Sequence, residues 1–334
     1  MSNCMHDVLM NKRRPAFILL TVLGALSLGL ATAAAETYPA RPIRLVVPYA
    51  AGGPNDSSAR MVAAELTKIL GQSVLTENRP GAGGNAAAEA VAMAPPDGHT
   101  LLWAQGATHG INPALYPKLG YDALRDFAPV GLIGSEPLVL VTNARAAWTG
   151  INDLVIAAKI DDGTIHFGSG GIGTTSHMAG ELFAAQAGVR LVHVPYRGKA
   201  PAVGDAIAGR IQLVFDGLNA ALGPIRDGTL KALAVTSRAR VPELADVPTI
   251  AETLPDYDVV SWGGIAAPAG TSRHVVARLS QALQEIGQRP AIKERFNRLG
   301  VRLDVGTPEQ MDAFVRDQIA RWRRVIETNG IGLD

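Results

Sequence analysis

The chain has 334 residues and a formal net charge of +1 at pH 7, with 18% of residues charged. A balance this close to neutral gives no electrostatic case for nucleic acid or for an anionic membrane surface. A single cysteine excludes an internal disulfide framework and a thiolate metal site.

The chain begins with a basic stretch, Lys12, Arg13 and Arg14, followed by an apolar run from Ala16 to Leu30 that is short for a bilayer span. Ala33-Ala34-Ala35 then supplies small residues for cleavage. Residues 1–35 therefore read as a secretory signal peptide with Glu36 as the mature start, against the alternative of an uncleaved anchor. Cys4 precedes the apolar run, so it is not placed as a lipid-modified cysteine and leaves with the signal. Losing Asp7 and the three cations takes the charge from +1 to about −1. The remainder, about 300 residues, suits two domains.

Ile43 to Pro48 is an apolar, β-branched strand that stops at Gly52-Gly53. Asn55, Asp56, Ser57 and Ser58 follow, and then Met61/Val62, Leu66 and Ile69/Leu70 recur at helical spacing. A strand feeding a glycine turn and a helix start leaves backbone N–H groups bare at a positive dipole end. That arrangement is either a tight turn with a satisfied cap or a place to hold a carboxylate or phosphate. A second copy favours the latter. Ile165 to Phe167 meets Gly168, Gly170, Gly171 and Gly173, then Thr174, Thr175 and Ser176, then a helix with Met178/Ala179 and Leu182/Phe183 inward. One such turn in each half suggests a cleft with both aimed into it.

Between the two copies, Ser73 to Thr76 reads as a strand. The loop Gly81 to Asn85 reads as a pocket edge or a plain loop, with Asn85 capping a helix from Ala86 to Met93. Thr100 to Ala104 is a strand, and His109 lies in an irregular region, facing a ligand or filling a turn. Phe127 to Ile133 and Pro137 to Thr142 read as consecutive strands that carry the chain from one lobe to the other. Asn152 to Ile160 is helical.

After the second turn, Leu191 to Pro195 is a strand, and Arg197 and Lys199 meet either an anionic ligand or solvent. A helix from Pro201 to Ala208 and a strand from Ile211 to Phe215 lead to Asp216. This residue lies at the carboxyl end of its strand, where parallel sheets bind ligands, or simply starts a turn. Leu230 to Thr236 is a strand. Val259 to Ala267 reads as the return crossing, with Gly263 and Gly264 as a hinge. Helices follow over Thr271 to Ile286 and Ala291 to Leu299. Thr307-Pro308-Glu309-Gln310 fits a capping box for a closing helix whose inward face is Met311, Phe314/Val315, Ile319, Trp322 and Val325/Ile326. The alternation of strands and helices gives an α/β architecture with parallel sheets.

Catalytic patterns are sparse. Gly168, Gly170 and Gly173 satisfy a dinucleotide fingerprint, but the acidic residue expected at the end of the next strand is missing. There is no nucleophile elbow and no phosphate-loop motif. His177 and Glu181 stand four apart on one helix, a metal-capable spacing, but no third ligand is suggested nearby, so no metal and no cofactor are expected. The pattern is that of a protein that holds something rather than an enzyme.

From Tyr38 onward the chain resembles the Bug family, the extracytoplasmic solute receptors of tripartite tricarboxylate transporters. The matching segments are Pro39 to Arg44, Pro48 to Gly53 with Asp56 and Arg60, Glu77 to Gly84, Asp97 to Leu101, Val194 to Gly198, Val247 to Thr249 and Ala267 to Gly270. Tyr49 stands where phenylalanine is common, and His99 where tyrosine or phenylalanine is common. The resemblance implies a type II periplasmic-binding-protein fold, two α/β lobes joined by two crossing strands around a ligand cleft. Lobe 1 would comprise residues 36–138 and 262–334, and lobe 2 residues 139–261. It implies a periplasmic receptor that binds a small carboxylate-bearing organic acid and delivers it, as a monomer, to membrane permease subunits. The alternatives are the same receptor serving a membrane kinase as a sensor, or an exported enzyme of small carboxylates. Carried over by position, the ligand-binding residues would be Tyr49, Ala51, Gly52, Gly53 and Asn55 in one turn and Ser169, Gly170, Gly171, Gly173, Thr174 and Thr175 in the other. Asp216 is the residue that would meet a ligand ammonium.

Overall fold

A computed structural model describes residues 38–332. The signal-peptide reading of residues 1–35, Cys4 included, lies outside the described residues. β1 (Ile43–Val47) is buried at Ile43, Leu45, Val46 and Val47, and it feeds α1 (Pro54–Leu70), which ends at Gly71 in the left-handed conformation. β2 (Val74–Asn78), α2 (Asn85–Ala92) and β3 (Thr100–Gln105) complete a parallel unit in which β1 lies between β2 and β3. Gly84, not Asn85, occupies the cap position of α2, and no side chain caps that helix. A π-helical turn, Ala107–Ile111, and the short α3 (Asn112–Leu115) follow.

β4 (Phe127–Asn143) is one strand of 17 residues, where the sequence suggested two. Irregularities at Pro129/Gly131 and Leu132/Gly134 bend it without ending it. α4 (Ile151–Ile160), β5 (His166–Ser169), α5 (Thr175–Ala187), β6 (Val192–Pro195), α6 (Lys199–Ile207), β7 (Leu213–Gly217), α7 (Leu218–Arg226) and β8 (Leu230–Val235) build the second α/β unit. α7 was not legible in the sequence because Pro224 interrupts its pattern. β9 (Val260–Pro268), α8 (Arg273–Gln288), α9 (Pro290–Asn297), the two-residue β10 (Arg302–Leu303) and α10 (Pro308–Asn329) close the chain.

The strands form one curled sheet in the order β2-β1-β3-β9-β4-β7-β5-β6, with β8 and β10 also pairing to β4. β4 pairs antiparallel with β9 from Phe127 to Pro137 and with β7 from Leu138 to Thr142. β9 leaves the second unit at Val259, whose N–H donates to Thr236 O, and enters the first beside β3. These are the two crossing strands between the lobes. Gly263 and Gly264 lie inside β9, where a Cβ on Gly264 would stand 2.9 Å from Gly131 O and one on Gly263 would stand 3.1 Å from the Trp103 ring. Close packing therefore accounts for both glycines.

Side chains alternate across the second unit as strand geometry requires. Leu138, Leu140, Leu213 and Phe215 face one core with Phe167, Met178 and Phe183. Val139, Val141 and Val214 face another with Ala202, Leu218 and Val235. The capping box of α10 is present, with the Thr307 side chain accepting from Gln310 N–H and Gln310 accepting from Thr307 N–H. Met311, Val315 and Ile319 pack with Val46, Leu102 and Trp262 in the first lobe, and Trp322 packs with the Phe167 core in the second.

Candidate functional site

The carboxyl ends of β1 and β3 carry the first turn and the Ala107–Ile111 turn, and those of β5, β6 and β7 carry the second turn, Arg197-Gly198 and Asp216-Gly217. In the first turn Gly52 takes a positive φ of 87°, and its N–H donates to Asp56 Oδ2 at 2.9 Å. Asp56 is buried. It also receives Arg60 Nε at 2.8 Å and Asn78 Nδ2 at 2.9 Å, and Asn78 Nδ2 donates to Tyr49 O as well. These partners hold the Asp56 carboxyl below its ordinary range despite burial. The Gly52 amide is thus occupied within the protein. The amides of Gly53, Asn55 and Asp56 have no partner among the described residues. Ala51 is exposed, Asn55 and Tyr49 are half-buried, and burial pushes the Tyr49 phenol well up.

The second turn is knitted more tightly. Ser169 Oγ accepts Gly171 N–H at 3.0 Å, and Ser176 Oγ accepts Gly170 N–H at 3.0 Å. Thr174 caps α5, accepting His177 N–H at 3.4 Å and donating to Gly171 O at 2.6 Å. His177 Nδ1 accepts Gly173 N–H at 3.3 Å. Ser169, Gly170, Gly171, Gly173 and Thr174 therefore build the turn. The donors it leaves without a partner among the described residues include the Thr175 hydroxyl and the amides of Thr175 and Ser176, at the positive end of a 13-residue helix.

The loop Gly81 to Asn85 sits between these turns. A Cβ on Gly84 would lie 3.1 Å from Pro48, and one on Gly83 would lie 2.8 Å from Ile172 O. Behind this contact, Asn85 Oδ1 accepts Asn112 Nδ2 at 2.7 Å and Tyr121 OH at 3.0 Å. A Cβ on Gly173 would meet Asn112 Oδ1 at 2.5 Å, and one on Gly106 would meet Trp262 Nε1 at 3.2 Å and Thr175 Oγ1 at 3.4 Å. Asn112 Oδ1 and Trp262 Nε1 are buried polar atoms with no hydrogen-bond partner among the described residues. Neither was singled out in the sequence, since an asparagine in an irregular region and a tryptophan in an apolar strand carry no signature of their own.

Asp216 is buried, and its Oδ1 lies 3.2 Å from Lys199 Nζ at the start of α6. Glu136 on β4 lies close to both. Its carboxyl is pushed up to about 7 by burial, against the charge of Lys199. Burial lowers the Lys199 ammonium, but Asp216 and Glu136 outweigh it and leave its pKa raised. Asp216 therefore has a cationic partner already, from a residue the sequence left between ligand and solvent, and Arg197 is exposed. His109 is turned into the first lobe, edge-on to Phe127 with ring centroids 4.7 Å apart, and burial lowers it to about 3.

Two lobes, two crossing strands and glycine turns meeting at the strand ends define a periplasmic-type solute-binding protein. Residues 58–331 match the model of the tripartite tricarboxylate transporter family receptor. BugT of Bordetella pertussis is 36% identical over 305 residues, which are 91% of this chain and 94% of BugT. Among solved structures, R. palustris Rpa4515 with adipate is 35% identical with a TM-score of 0.84, covering 88% of this chain and 99% of that one. MatC from Rhodopseudomonas palustris with bound malate is 33% identical with a TM-score of 0.80, covering 86% and 100%. The chain belongs to the TctC, or Bug, family of solute-binding receptors, a family whose members imply a periplasmic location.

Proposed function

We propose that this receptor captures a small organic acid by a carboxylate held between the two turns and delivers it to the membrane permease subunits of a tripartite tricarboxylate-type transporter. In this reading lobe 1 is residues 36–138 with 262–334, and lobe 2 is residues 139–261. The observation that carries it is the start of α5. The Thr175 hydroxyl and two helix-start amides lie beside the unpartnered Trp262 Nε1–H and close to the opposing lobe. A buried carboxylate needs a donor for each oxygen, and these groups supply them without a lysine or arginine. The related structures holding adipate and malate support the ligand class. The Lys199–Asp216 pair speaks against an amino-acid ligand, because Asp216, the residue expected to meet an ammonium, is already matched. Ser169 Oγ lies 2.6 Å from His193 Nε2, but the same hydroxyl accepts the Gly171 N–H within the turn, which supports a structural role for this pair and binding without turnover.

The test is a thermal-shift and calorimetric titration with adipate, malate and their diamides. A ligand that binds only the native state raises the melting temperature by mass action. A shift with a diacid and none with its diamide is expected. Gly53→Leu isolates the first turn, since Gly53 has an ordinary φ of −79° and a Cβ there has its nearest neighbour, Ala50 O, at 3.8 Å. The variant should melt as wild type does and bind at least about tenfold more weakly, a difference of about 1.4 kcal/mol. An equal response to acid and amide, or full affinity in Gly53→Leu, would refute the two-turn model.

A further inference from the structure

His177 and Glu181 lie on the inner face of α5, one helical turn apart, with His177 Nε2 3.6 Å from Glu181 Oε1. The fold brings His193 of β6 against them. The His177 and His193 ring centroids are 4.1 Å apart, and one ligand atom from each of the three residues lies within 4.8 Å of the other two. The sequence showed only the first two, because the third arrives on an edge strand through β5–β6 pairing. We infer that His177, Glu181 and His193 form a site for a divalent d-block cation such as zinc. This inference stands apart from the organic-acid reading.

The donor set is two imidazoles and a carboxylate, which suits zinc and leaves a fourth position open. His193 is oriented from behind by Ser169 Oγ, 2.6 Å from its Nε2, and by stacking on Phe167. Such outer partners fix ligand rings in metal sites. The Glu181 side chain is 29% exposed, which leaves the cluster an entrance.

Binding carries one structural consequence. With Nδ1 accepting from Gly173, the His177 ring bears its proton on Nε2. A metal on Nε2 requires that proton on Nδ1, which then no longer accepts the Gly173 N–H. One long hydrogen bond is a small loss against three metal–ligand bonds, and it makes the amide of Gly173 report on occupancy.

The experiment is a zinc titration of the purified protein, stripped with chelator, by competition against a chromophoric chelator, alongside His193→Gln and Glu181→Gln. The common background of the other histidines cancels between variants. Each substitution should weaken the tightest zinc site at least about thirtyfold. Cobalt substitution should give the wild type intense visible bands of a four- or five-coordinate nitrogen–oxygen site, and zinc should move the Gly173 amide resonance. Equal zinc affinity in wild type and both variants would overturn the proposal. So would cobalt spectra of the aquo ion in folded wild type, a readout that does not depend on whether the variants fold.

Discussion

Among single residues, Glu136 yields the sharpest prediction. Its carboxyl is pushed up to about 7 by burial, above the 4.5 of an exposed glutamate. A group whose pKa is raised on folding stabilises the native state fully below its unfolded pKa and loses that contribution as pH rises through the folded one. The window is therefore pH 4.5 to 7. Glu136→Gln mimics the protonated acid, so it should melt like wild type near pH 4.5. At pH 8 it should be more stable by about 3 kcal/mol, at 1.36 kcal/mol for each pKa unit. Melting curves of both proteins across pH 4.5–8 check this, and a constant difference would show that Glu136 stays ionised throughout. Glu136 also marks a limit of reading the chain as sequence. A glutamate in an apolar strand signals neither Lys199 nor Asp216, 63 and 80 positions away, because their meeting depends on β4 pairing with β7. The glycine turns were legible because each is written within a dozen consecutive residues.

At the scale of elements, two helix caps separate stability from binding. Thr307 caps α10 through a complete capping box far from the turns, and Thr174 caps α5 inside the second turn. Replacing a capping threonine costs about 1 kcal/mol, so Thr307→Ala and Thr174→Val should lower stability by similar amounts. Only Thr174→Val should also weaken binding of adipate or malate, by about tenfold, because it loses the bond to Gly171 O that shapes the turn. Thr174→Ser should restore affinity. Denaturant melts and titrations on the same samples test this, and equal affinity in all three would remove Thr174 from the binding machinery. The Thr307 box was readable from four adjacent residues. Assigning partners to the helix it starts was not, because periodicity marks the buried face of α10 but not that Ile319 and Trp322 serve different cores.

For the whole molecule, the proposed capture rests on the lobes meeting and parting, and Gly83 lies against the second turn. It has a φ of 64°, and a Cβ on it would stand 2.8 Å from Ile172 O in the opposite lobe. A valine there forces the second turn away from the loop Gly81 to Asn85. A ligand that touches both lobes then loses the closed form it selects, and apparent affinity falls in proportion to the closed-competent fraction. The left-handed strain of the substitution is separable from this effect. Gly71, at the end of α1, has a φ of 72° with nothing within 4 Å of a Cβ, so Gly71→Ala carries strain of the same kind without the crowding. Both variants should be less stable than wild type. Small-angle scattering with saturating adipate or malate should show compaction in wild type and Gly71→Ala and none in Gly83→Val. Compaction in Gly83→Val equal to wild type would mean that the lobes close along another contact. The bridge formed by α10 across both cores, in addition to β4 and β9, would then be the element that sets the direction of closure.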